Sequence, residues 1–376
     1  MYCDNGNLVD KCSSCGCPNI NDICVENLGC SIKSCLFGAN CTYFSEEWNI
    51  SEIENIRVQY TSIALDFNNH IHISYRDDIN LDLKYAKWNG SNWNIQVVDE
   101  SGNSGYSSSI SIDSKNNPHI SYWKKMDKYG DKKLMYAKWN GYNWNIEEIT
   151  SGVEFLTSIA LDKNDNPYIG FYSTNKSHFG YATFTGLNWS INFPSNFSPN
   201  MNAPGKYIDI YLDSTNNLHI AYSDGHTGGN LYYWVSSKNK SIIVDGDNVK
   251  EVSIIVDNKN NPHIAYSGGG NLKYAAFNGI DWDSLRVDIE IGRGGLWPSI
   301  GLDNNNYPHI THSNSLSGYL KYAKWTGINW NIGILDNKCD HTDICSFSSL
   351  VIDKNNKAYV SYLGSNYSFK YANNII

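Results

Sequence analysis

Apolar and polar residues alternate in short runs along this chain, and the runs return at a steady interval. Ser108-Ser109-Ile110-Ser111-Ile112-Asp113 alternates with period two, the mark of a half-buried β-strand. Ser114-Lys115-Asn116-Asn117 supplies turn chemistry. Pro118-His119-Ile120-Ser121-Tyr122 then predicts a second strand, with Pro at its first position, where a missing N–H is tolerated. Leu134-Met135-Tyr136-Ala137-Lys138-Trp139 predicts a third. Asn140-Gly141 turns it tightly into a fourth that opens at Trp144-Asn145-Ile146. The third strand and its hairpin recur as Leu83-Lys84-Tyr85-Ala86-Lys87-Trp88-Asn89-Gly90 and as Leu320-Lys321-Tyr322-Ala323-Lys324-Trp325-Thr326-Gly327.

One residue marks the period. Asp66, Asp113, Asp162, Asp213, Asp257, Asp303 and Asp353 each close a first strand, and each is followed six residues on by His or Tyr. Their spacings are 47, 49, 51, 44, 46 and 50, the period of a four-stranded propeller blade. The seventh copy ends inside its third strand, at Phe369-Lys370-Tyr371-Ala372. A stray fourth strand, Trp48-Asn49-Ile50-Ser51-Glu52-Ile53, stands before the first copy. The N-terminal strand therefore completes the last blade and removes the edge that an open array would expose. The expected fold class is all-β: a seven-bladed β-propeller over residues 42–376, preceded by a small disulfide-rich head over residues 1–41.

Composition places the chain in a compartment. Eight of the ten cysteines fall in the head (Cys3, Cys12, Cys15, Cys17, Cys24, Cys30, Cys35 and Cys41), and Cys339 and Cys345 lie six apart in one loop. An even count in a dense cluster points to disulfides in an oxidising environment. Cys12-Ser13-Ser14-Cys15-Gly16-Cys17 also has zinc-like spacing, but the head holds no His. Only Cys339–Cys345 is simple enough to pair. The start, Met1-Tyr2-Cys3-Asp4, lacks a basic and apolar signal region, so export implies a leader removed or replaced. Eight N-glycosylation sequons, at Asn40, Asn49, Asn89, Asn175, Asn188, Asn196, Asn239 and Asn366, fit an extracellular or cell-surface setting. A net charge of −9 argues against a nucleic-acid partner, and no run of 18 apolar residues spans a bilayer. Aromatic residues make up 14% of the chain against 18% charged ones, a balance suited to many half-buried strands.

The Asp-x-x-Asn-x-x-His/Tyr-x-x-Tyr hairpin that begins each blade resembles that of secreted bacterial and archaeal repeat propellers, over residues 48–372. The head, through Cys15-Gly16-Cys17-Pro18, looks like cysteine-rich segments on archaeal surface proteins, which implies a cell-surface context. The Leu-x-Tyr-x-Lys-Trp-x-Gly-x-x-Trp run is similar, more distantly, to the blades of propeller lectins. That likeness implies sugar pockets between blades, walled by Trp.

Several groups then compete for a functional role. The histidines His72, His119, His219, His263 and His309 occupy one equivalent position in five blades, too far apart around a ring to share a metal ion. They read as blade parts, and no metal site is expected. The Asp/Asn turns echo part of a calcium loop but lack its Gly and its distal Glu, so calcium is the one ion left open and no other cofactor is implied. Trp93, Trp144, Trp189, Trp282 and Trp330 follow the hairpins and either pack against the next blade or wall a sugar site. Departures from the repeat are a second kind of candidate, because a single-copy function has to sit where symmetry breaks. Asp209 replaces a Ser shared by six blades, His312 replaces a Tyr, and Asp224, His226, Arg293 and Trp297 are unique to their blades. The lysine-rich insertion at 124–133 reads as a solvated hairpin extension. No nucleophile elbow, phosphate loop or metalloprotease helix motif is present. The expected function is an extracellular, non-catalytic binding propeller that recognises carbohydrate or another cell-surface partner. The alternatives are a self-associating subunit of a surface layer or filament, and a propeller glycosidase or lyase.

Overall fold

The computed structural model describes residues 33–34, 42–43, 46–126, 130–194, 205–224, 229–289, 294–315, 317–337, 346–365 and 368–375. Seven four-stranded antiparallel sheets make up nearly all of it. Blade 1 runs through Val58–Leu65, Ile71–Asp77, Asp82–Trp88 and Trp93–Asp99, and blades 2 to 6 repeat that order along the chain. Blade 7 takes three strands from the C-terminus, Ser346–Ile352, Ala358–Leu363 and Phe369–Asn374, and its fourth from the N-terminus, Trp48–Glu54. The closing pair is antiparallel, with Trp48 opposite Asn374 and Ile50 opposite Ala372. The seven-bladed ring closed by an N-terminal strand is thus the observed fold. Lys33–Ser34 and Thr42–Tyr43 form a separate two-stranded pair. All ten cysteines lie outside the described side chains, as do the sequons Asn40, Asn196 and Asn366. Asn49, Asn89, Asn175, Asn188 and Asn239 are exposed.

The turns explain the marker aspartate. Asp113 Oδ1 accepts the Lys115 and Asn117 N–H groups at 2.9 and 2.7 Å, and Asp66 does the same for Asn68 and His70. Each turn then needs a left-handed residue, which Asn supplies in six blades (Asn69, Asn116, Asn216, Asn260, Asn306 and Asn356) and Asp165 in the other. The third-to-fourth-strand hairpins use Gly90, Gly141, Gly186, Gly279 and Gly327 at φ of 92° to 99°, where a side chain would be strained.

The histidines prove to be struts. His119 Nδ1 bonds the Tyr136 hydroxyl at 2.6 Å, and its Nε2 lies 3.4 Å from Asp113 Oδ2. The same Asp–His–Tyr chain recurs at Asp66–His72–Tyr85, Asp213–His219–Tyr233, Asp257–His263–Tyr274 and Asp303–His309–Tyr322. Burial holds the His72, His119 and His309 rings neutral, with pKa values lowered to about 4. The aspartate oxygens are spent on backbone N–H groups and on this chain.

The core lies between blades. Val252, Ile254 and Tyr266 of blade 5 pack on Ala221, Tyr233 and Val235 of blade 4, and similar clusters fill the other junctions. Inner strands ring a central channel. In each, a side chain two residues along from the mouth accepts the backbone N–H of the next blade: Ser62 from Ile110 (3.2 Å), Ser109 from Ile159 (3.3 Å) and Ser299 from Leu350 (2.9 Å). Ser349 to Ile63 closes the circle at 3.1 Å.

Candidate functional site

The sequence-predicted residues fall into three places. Trp93, Trp144, Trp189, Trp282 and Trp330 are half-buried in the junctions between blades. Each meets the third-strand Tyr of the preceding blade edge to face: Trp144 on Tyr85 at 5.2 Å, Trp189 on Tyr136 at 5.1 Å, Trp330 on Tyr274 at 5.3 Å. Trp93 on Tyr371 and Trp282 on Tyr233 repeat the arrangement. Each ring thereby packs across a blade junction, which is the usual use of a large aromatic.

His312 occupies a second repeated network. In blades 1, 2, 5 and 7 the second-strand Tyr donates to a carboxylate at the end of the preceding blade, as Tyr122 does to Asp99 (2.7 Å), Tyr266 to Asp245 (2.6 Å) and Tyr362 to Asp336 (2.9 Å). His312 Nε2 takes the place of that hydroxyl, 3.3 Å from Asp288 Oδ2, which also receives Lys321 Nζ at 2.9 Å. Burial would raise the Asp288 pKa, but His312 and Lys321 hold it down, to about 2. His312 therefore preserves a junction. Asp224 is half-buried just past the second strand of blade 4. His226 and Arg293 lie outside the described residues.

Asp209 and Trp297 meet in the third place, the mouth of the channel on the face of the between-blade loops. A cavity of about 330 Å³ opens there, lined by all seven inner strands. Of the residues two positions before the ring of serines, Tyr60, Ser107, Leu156, Glu251, Trp297 and Phe347 line it, and Tyr207 does not. Blades 6, 7 and 1 contribute an aromatic arc, with Trp297 to Phe347 centroids at 4.6 Å and Phe347 to Tyr60 at 4.7 Å. Tyr106, stacked on Trp123 at 4.0 Å and capped by the Arg76 guanidinium, extends it.

The arc depends on a repeated bulge. Tyr60, Ser107, Phe155, Trp297 and Phe347 have φ of 51° to 65°, and the strand register slips beside each. A bulky residue there costs about 1–3 kcal/mol and persists only where its surroundings hold it. Hydroxyls clamp the bulges: Thr61 Oγ1 donates to the Phe347 carbonyl (2.6 Å), Ser108 Oγ to that of Tyr60 (2.7 Å), Thr157 Oγ1 to that of Ser107 (2.7 Å) and Ser348 Oγ to that of Trp297 (3.2 Å).

The inner strands of blades 4 and 5 have no bulge, and they carry the two acids. Asp209 fills the serine position of blade 4. Its carboxylate accepts Ser158 Oγ (2.6 Å), Ile210 N–H (3.0 Å) and Ile254 N–H (2.8 Å), so it spans two junctions at once. Burial raises its pKa against those hydrogen bonds. Glu251 was not singled out by sequence reasoning. It is 7% exposed, its Oε2 has no hydrogen-bond partner among the described residues, and burial pushes its carboxyl above the ordinary range. Aligning the residue two before each serine would have found it, since it is the one charged member of that column.

No protein-family model matches the chain, and no curated protein matches it. Solved structures share its fold. A virginiamycin B lyase from Staphylococcus aureus is similar at 12% identity and a TM-score of 0.59, over 88% of this chain and 100% of its own. A polysaccharide lyase of family PL25, an ulvan lyase, is similar at 13% identity and 0.57, over 85% of this chain and 94% of its own. An α-L-arabinanase from Penicillium chrysogenum, complexed with arabinobiose, is similar at 11% identity and 0.53, over 85% and 93%. The likeness is one of architecture, and by that architecture the chain is a seven-bladed β-propeller.

Proposed function

We propose that this protein is an extracellular propeller that binds carbohydrate in the mouth of its channel. The observation that carries this reading is the broken symmetry there. An aromatic arc from Trp297, Phe347 and Tyr60 and the acids Asp209 and Glu251 share one cavity, edged by serine and threonine hydroxyls. An apolar ring face stacks on such an arc while hydroxyls and carboxyls receive its polar edge. The cavity is at the small end of the roughly 300–1,000 Å³ typical of ligand sites, which suits a sugar unit or two. The cysteine-rich head and the exposed sequons support an extracellular setting. Calcium is not required by this reading.

A glycan array on the oxidised full chain, with and without calcium, tests it. Binding should be lost in Trp297→Ala and Phe347→Ala and kept in Trp93→Ala, once folding of each is verified. Binding lost only with the junction tryptophan would move the site to the rim. A blank array on folded protein would reject carbohydrate and turn attention to self-association or a surface-protein partner.

A second reading, glycosidase or lyase, rests on Glu251. A carboxyl whose hold on its proton is strengthened by burial is what a general acid needs. The neighbouring enzymes share only the fold, which does not carry an activity with it. Product release from a bound oligosaccharide, abolished by Glu251→Gln, would establish catalysis, and an intact oligosaccharide would leave simple binding.

A further inference from the structure

The mouth contains a carboxyl with one oxygen that has no hydrogen-bond partner among the described residues. Glu251 Oε2 is buried and unbonded among the described residues, yet the side chain lines an open cavity. Asp209, on the neighbouring blade, is fully engaged by Ser158, Ile210 and Ile254 and is not in the same condition. Among the described residues lining the cavity there are two acids and no Lys, Arg or His. Leaving a carboxylate buried and unpaired is costly, whereas supplying a cation with hydrogen-bond donors offsets that cost. Trp297, on the adjoining blade, and Phe347 and Tyr60 beyond it line the same cavity, and aromatic rings favour a cation over an anion.

We propose that the ligand of the mouth bears a protonated amine, and that it is an amino-sugar unit whose ammonium pairs with Glu251 while its ring lies along the aromatic arc. The inference rests on the carbohydrate reading above and adds the class of sugar. The same arrangement disfavours an acidic saccharide, since its carboxylate or sulfate would meet Asp209 and Glu251 and, among the described residues lining the cavity, no base. Burial raises the pKa of Tyr207, on the inner strand of blade 4, and the Glu251 carboxylate on the adjoining blade adds to the rise. Lys250 precedes Glu251 in the chain and opposes the rise in the acid's pKa, but it does not line the cavity and donates no bond to the free oxygen.

Calorimetric titration of the full, oxidised chain with four trisaccharides separates the possibilities. These are a glucosamine trisaccharide, its N-acetylated form, a glucose trisaccharide of the same linkage and a galacturonate trisaccharide. The amine form should bind about tenfold or more tightly than the two neutral ones, the size expected of a buried charge-assisted hydrogen bond, and galacturonate should not bind. Glu251→Gln should bring the amine form level with the neutral ones while leaving their affinity in place. Neutral forms within about twofold of the amine form in the unaltered protein would overturn the amine assignment and leave the carbohydrate reading intact. Failure of all four to bind would overturn both. The comparison among ligands needs no variant, so a Gln substitution that misfolded would not rescue the proposal.

Discussion

Seven side chains stand two residues before the inner-strand serine position, and Glu251 alone among them is charged. Its raised pKa has a consequence for stability. The folded state binds the proton more tightly than the unfolded chain, so Glu251 is neutral to folding below its ordinary range near pH 4.5 and destabilising once pH rises above it. Glu251→Gln removes that penalty. Its thermal midpoint should match the unaltered protein at pH 4 and exceed it at pH 8; a variant less stable at pH 8 would mean that the carboxylate has a partner after all. The buried histidines act with the opposite sign. Their folded pKa values lie below the unfolded value, so the stability of the neutral rings is fully present above about pH 6.5 and is lost as pH falls toward 4. Each ring contributes up to about 3 kcal/mol across that window. Urea unfolding followed by tryptophan fluorescence should therefore show stability dropping steeply between pH 6.5 and 4, and His119→Gln should flatten the drop. Asp209 offers a third test. Asp209→Ser restores the motif of the other six blades and should fold well, whereas Asp209→Ala strands the Ile254 N–H and the Ser158 hydroxyl and should cost about 1–3 kcal/mol in chemical denaturation.

At the scale of elements, the strands and their turns were largely legible. Period-two alternation, Pro118 at a strand start, Asn140-Gly141 in a hairpin and the marker Asp113 are local signals, and local backbone chemistry settles them. The inner-strand bulge was not legible. Tyr60, Trp297 and Phe347 adopt a conformation that their own chemistry disfavours, held by hydroxyls some fifty residues or more away. The tryptophans show the same limit in another form. Sequence left them divided between sugar contact and packing, and each is found against the tyrosine of the adjoining blade. Trp144→Ala should lower stability by about 3 kcal/mol, at the low end for a large aromatic because the ring is only half-buried, and should leave sugar affinity unchanged. A stable variant that no longer bound sugar would place the ligand at that junction instead.

The whole molecule depends on one seam. Trp48–Glu54 pairs with Phe369–Asn374, Trp48 packs on Tyr322 at 5.0 Å, and Glu46 lies 3.6 Å from Lys324 of blade 6. A chain beginning at Asn55 would leave the edge of Phe369–Asn374 unpaired and open the ring. It should elute as aggregate and lose its cooperative melt, while a chain beginning at Glu46 should keep both a monomeric elution and the melt. Equal behaviour of the two would show that the remaining strands close the ring without the seam.

The sequence by itself determined the number of blades, their strand order, the turn chemistry and the closure of the ring. Those features repeat, and each copy is specified by residues close together along the chain. It also marked Asp209, Trp297 and His312 as departures from the pattern. Only the tertiary structure decided which departures matter together. It put His312 to work at a blade junction, beside Asp288 and Lys321, and brought Asp209 and Trp297 to one cavity with Glu251. The physical reason is that a carboxyl's lack of partners is set by what surrounds it in space. Around Glu251 those surroundings are assembled from inner strands about fifty residues apart, which the closing of the ring alone brings together.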